Sequence, residues 1–123
     1  MKLRIKGNTL RLRLTQTEVD TVAKGEVTDK TQFPGGKELV YKIQKGDSFK
    51  AQFENDVVLI QLPMEEVDKW AVSDQVTIGK IITLDNGEEL DVAVEKDFQC
   101  LTERPKEDES DMFPNPLEKH AKC

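Results

Sequence analysis

Five cations fall within the first thirteen residues: Lys2, Arg4, Lys6, Arg11 and Arg13. Arginine presents a planar fork of N–H donors that matches carboxylate and phosphate oxygens, and lysine adds a compact charge. If Gly7-Asn8 is the turn of a hairpin, Arg4 lies opposite Arg11 and Lys2 opposite Arg13. Like charges directly across a strand pair repel, so this pattern calls for a negative group nearby. Two sources are open. One is a small ligand bearing phosphate or carboxylate; the other is the chain's own last strand, with Glu89, Asp91 and Glu95 on one face.

Other chemistry is sparse. Cys100, His120 and Cys123 include a His-x-x-Cys spacing, but zinc normally takes four ligands and no Cys-x-x-Cys pair is present. No metal site is therefore assigned. The only histidine is His120, and there is no Gly-rich phosphate loop or nucleophile elbow. These absences favour a non-catalytic binding module without a cofactor. Trp70, aligned with Val22 in the repeat described below, reads as core.

The elements that must hold the cations follow from periodicity. Leu3 and Ile5 alternate with Lys2, Arg4 and Lys6, and Leu10, Leu12 and Leu14 alternate with Arg11 and Arg13, as in half-buried strands. Thr15 with Glu18 forms a capping box, and Leu14 can staple onto Val19. A helix of about nine residues then runs to Gly25. Strands are predicted over 27–33 and 38–44, joined through Pro34-Gly35-Gly36. Residues 49–62 repeat the first hairpin around Asn55-Asp56, a helix carries Val67, Trp70 and Ala71, and strands over 76–84 and 89–95 flank Asp85-Asn86-Gly87.

The second half repeats the first. Shifted by 48, Leu14-Thr15-Gln16-Thr17-Glu18-Val19-Asp20 lies over Leu62-Pro63-Met64-Glu65-Glu66-Val67-Asp68. Val27-Thr28 is set over Val76-Thr77, and Ile43-Gln44-Lys45 over Val94-Glu95-Lys96, so the offset drifts to 51. Residues 1–98 thus form one duplicated α+β domain, with repeats at 1–46 and 47–98 and an acidic irregular tail at 99–123. Two repeats are too few for a solenoid. Eight strands and two helices predict an eight-stranded antiparallel barrel or a strongly curved sheet. The basic positions are not repeated: Arg4, Lys6, Arg11 and Arg13 correspond to Gln52, Glu54, Leu59 and Gln61.

Charge is divided between the halves of the chain, with a net of +5 over residues 1–50 and −11 over 51–123. The overall charge of −6 argues against a general nucleic-acid binder. No stretch has the apolar length of a membrane span or a signal peptide. Both cysteines lie in the tail, and the expected location is the cytoplasm. The acidic run over 103–111 and the Met112-Phe113-Pro114-Asn115-Pro116 cluster read as a linker and an anchor, or the run as an internal plug for the basic hairpin or a peptide offered to a protein partner.

The element order resembles the CYTH, or triphosphate-tunnel, fold, a duplicated eight-stranded barrel with a polar interior. That family's first strand carries Glu-x-Glu-x-Lys; here Lys6 matches, and Lys2 and Arg4 occupy the two glutamate positions. The resemblance implies, as the alternative to a binding module, a divergent Mg-dependent triphosphate hydrolase using Glu89, Asp91 and Glu95. As a whole, the chain resembles a small uncharacterised bacterial family. That likeness rests on residues 1–14, on Glu95-Lys96-Asp97-Phe98-Gln99-Cys100-Leu101 and on Phe113-Pro114-Asn115-Pro116.

Overall fold

A computed structural model describes residues 1–98 together with Asp111 and Phe113. The chain runs β1 (Lys2–Lys6), β2 (Thr9–Leu14), α1 (Gln16–Ala23), β3 (Glu26–Phe33), β4 (Lys37–Gly46), then β5 (Lys50–Glu54), β6 (Val57–Pro63), α2 (Met64–Val72), β7 (Thr77–Thr83) and β8 (Glu89–Lys96). The order of elements in the first half therefore recurs in the second. Both short hairpins have two-residue turns of the kind whose twist matches paired strands. Gly7 takes a φ of 55° at the first, and Asn55 and Asp56 take 52° and 64° at the second.

The strands form two open four-stranded sheets, ordered β1-β2-β8-β7 and β3-β4-β6-β5. This corrects the expected eight-stranded antiparallel barrel and the single curved sheet. The reason lies in the central pairings. β2 runs parallel to β8, with Leu12 beside Val94, and β4 runs parallel to β6, with Ile43 beside Ile60. Each sheet thus joins a hairpin from one half to a hairpin from the other. β8 sits between β2 and β7, so β1 stays an edge and no ring closes. The CYTH-like topology fails on the same finding.

Sheet register also corrects the alignment of the halves. Val27 pairs with Ile43, and Ile78 pairs with Val94, so the offset is already 51 at the strand after each helix. The whole drift from 48 falls between helix and strand, where the second half has the longer connection.

The apolar faces of both sheets and both helices share one core. Leu12, Leu14, Ile43, Ile60, Leu62, Val92 and Val94 contribute from the strands, and Val19, Val22, Val67 and Trp70 from the helices. Val22 and Trp70, which match across the halves, are both fully buried, and the Trp70 indole N–H donates to Val76 O at 2.9 Å. The capping box at Thr15 and Glu18 is formed, with the Thr15 N–H donating to Glu18 Oε1 at 3.0 Å. No helix among the described residues is long and apolar enough to cross a membrane.

A basic recess on the first hairpin

The register of β1 and β2 puts Lys2 opposite Arg13, Arg4 opposite Arg11 and Lys6 opposite Thr9. Alternation then sends all five cations to the face of the sheet away from the core. β8 continues these rows, with Asp91 beside Thr9, Ala93 beside Arg11 and Glu95 beside Arg13. The last strand thus flanks the second strand, whereas a closed barrel would have placed it beside the first.

This arrangement divides the five cations. Glu95 takes two of them: Arg11 Nη1 lies 3.1 Å from Oε2, and Arg13 Nε lies 3.4 Å from Oε1. Lys2 Nζ lies 3.2 Å from Oδ2 of the buried Asp97. Arg4 and Lys6 are exposed and make no ion pair among the described residues. They line a recess of about 250 Å³ with Thr9 and Arg11.

Sequence reasoning found the cations and Glu95 but missed Thr9 and Asp97. Thr9 could have been found from its place opposite Lys6. Asp97 lies just beyond the last strand, and only the parallel pairing of β8 with β2 brings it near Lys2, since its N–H donates to Leu14 O at 2.8 Å.

The recess is lined by forked donors, an ammonium and a hydroxyl, group types that suit an oxyanion. Among the described residues its lining is Arg4, Lys6, Thr9 and Arg11, without histidine or cysteine. The groups with shifted protonation lie elsewhere. Burial pushes the Lys96 ammonium below its ordinary value, with Asp74 opposing, and hydrogen bonds from Gln32 and then Lys30 lower the Glu38 carboxyl. Among the described residues no three His, Cys, Asp or Glu side chains are grouped to hold a metal ion, Glu89, Asp91 and Glu95 included. Cys100, His120, Cys123 and most of the acidic run lie outside the described residues. Of the anchor cluster, Phe113 is described: its ring meets Phe98 edge-on at 5.7 Å, and its N–H donates to Asp97 O at 2.9 Å.

No curated protein and no solved structure matches the chain. A family model does match, over residues 1–117, and by that span the chain belongs to the Family of unknown function DUF7009.

Proposed function

We propose that this domain is a non-catalytic binding module for a small phosphate- or carboxylate-bearing anion, held between Arg4, Lys6, Thr9 and Arg11. The observation that carries the reading is the cross-strand pair Arg4 and Arg11, with Lys6 beside it. Glu95 offsets Arg11 but is shared with Arg13, and no described carboxylate pairs with Arg4 or Lys6. An oxyanion in the recess would relieve that repulsion and accept several charge-assisted hydrogen bonds at once.

The second half supplies a well-matched control. Gln52 and Glu54 occupy the positions of Arg4 and Lys6 in the same kind of edge strand. Arg4→Gln and Lys6→Glu therefore introduce residues that the fold already accommodates. Calorimetric titration with inorganic phosphate, pyrophosphate and citrate at low ionic strength tests the reading. Binding to the wild type, lost in both variants at unchanged melting temperature, is expected. Binding that persists undiminished in Arg4→Gln would sink it.

A further inference from the structure

A second cavity lies where the two sheets face each other. It measures about 390 Å³ and is lined by equivalent residues of the two halves: Ile5 with Phe53, Leu10 with Val58, and Leu39 with Leu90. Gln52 is the only polar residue in its wall among the described residues, and its mouth leaves Ile5 and Phe53 59% and 67% exposed. Ala51 and Gln52 also line an adjoining recess of about 370 Å³ in the seam between the edge strands β5 and β7. Lys50 and Lys80 stand on either side of that seam.

In the equivalent seam, between β1 and β3, carboxylates face a cation. Asp29, which corresponds to Lys80, lies 3.3 Å from the Met1 ammonium, and that ammonium also pairs with Glu18. The β5–β7 seam has a cation on each side and no carboxylate in its lining, and neither lysine makes an ion pair among the described residues. These two lysines therefore offer positive charge beside the apolar cavity, with Ala51 and Gln52 common to both linings.

From this we infer that the space between the sheets binds a single-chain amphiphilic anion, of the fatty carboxylate class. Its alkyl chain lies among Leu10, Leu39, Val58 and Leu90, and its carboxylate lies between Lys50 and Lys80. The combination of a mostly apolar wall, a volume of several hundred Å³ and a few polar groups at one end is that of a small-molecule site. This site is separate from the basic recess on the outer face of β1 and β2.

Methyl-resolved NMR and calorimetry on the full chain test it with decanoate, decanol and inorganic phosphate as probes. Decanoate should move the methyl signals of Leu10, Leu39 and Leu90 while leaving exposed Val72 unmoved. Replacing both lysines (K50A/K80A) should weaken decanoate by about fivefold or more at low salt, in keeping with two exposed charge contacts, and leave decanol binding unchanged. Phe53→Glu, at an exposed position on the rim, should weaken both. Arg4→Gln should not alter decanoate binding, which separates this site from the one proposed above. The inference is overturned if decanoate leaves the three leucines unmoved, shifts Val72 equally, or binds the double lysine variant as tightly as the wild type.

Discussion

Lys45 and Lys96 lie at the end of the last strand of their respective halves, each with its ammonium on a carbonyl at the C-terminal end of a helix. Lys45 Nζ lies 2.9 Å from Ala23 O, and Lys96 Nζ lies 2.7 Å from Ser73 O. Both follow the register, Lys45 beside Leu62 and Lys96 beside Leu14, on strands whose inner positions are apolar. A cation there meets the negative end of the helix dipole and satisfies a carbonyl with no helical partner. Lys45 also lies 2.8 Å from Asp68 Oδ1 on the other helix. Lys45→Met should therefore cost about 1 kcal/mol, measured by urea denaturation. No loss would mean that water replaces the ammonium without penalty.

Lys96 is the more buried of the two, and its ammonium lies 5.9 Å from the centre of the Trp70 ring and 5.3 Å from that of Phe113. Burial lowers its pKa from the ordinary 10.5. Just below that value the unfolded chain holds a proton that the folded chain has released, so this group makes stability rise with pH across the interval. Lys96→Met abolishes the term. The stability of the wild type relative to Lys96→Met should grow as pH rises toward 10.5. A difference that stays flat across that range would show that Lys96 titrates as in the unfolded chain.

Glu95 competes with any anion for Arg11 and Arg13. Glu95→Gln keeps the shape of the side chain and removes the charge. It should tighten phosphate binding at the basic recess by roughly three- to tenfold at low salt. It should also lower stability slightly, because two guanidinium groups lose a shared negative charge. Unchanged or weaker phosphate binding in a folded Glu95→Gln would count against the recess as the anion site.

The two helices start differently. Thr15 caps α1 through its side chain, whereas Pro63 at the equivalent place before α2 makes no side-chain cap bond. Thr15→Ala should cost about 1 kcal/mol, with amide exchange accelerating in the first turn of α1 and not in α2. Equal acceleration in both helices would mean that the cap acts through global unfolding.

Local features were readable from residues alone. The alternation of Leu3 and Ile5 with Lys2, Arg4 and Lys6, closed by Gly7-Asn8, leaves one sensible register, and Arg4 does face Arg11. Thr15 and Glu18 announced their capping box by spacing. The partner of β8 was not readable in this way. Val92 and Val94 offer an apolar face that fits beside β1 or β2, and the choice depends on contacts distant in sequence. Eight strands close into a ring when neighbouring hairpins pair antiparallel, and the two parallel pairings defeat that closure. The division of the cations was hidden for the same reason: which arginine meets Glu95 depends on which strand β8 joins. Nothing in the spacing of Lys45 and Lys96 marks them as partners of helix ends, although Lys96 shares the inward side of its strand with Val92 and Val94.

The exchange of hairpins between the sheets has a consequence for how such a chain could diversify. Each half lacks two of the four strands its sheets require, so a half on its own could complete itself only by pairing with a twin. In such a twinned assembly every substitution would appear twice, and a cluster of arginines on one outer surface would be repeated on the other. Covalent linkage of the halves removes that obligation. Gln52 and Leu59 can stand where Arg4 and Arg11 stand, and Lys80 where Asp29 stands, so one molecule can carry specialised surfaces that a symmetric pair could not.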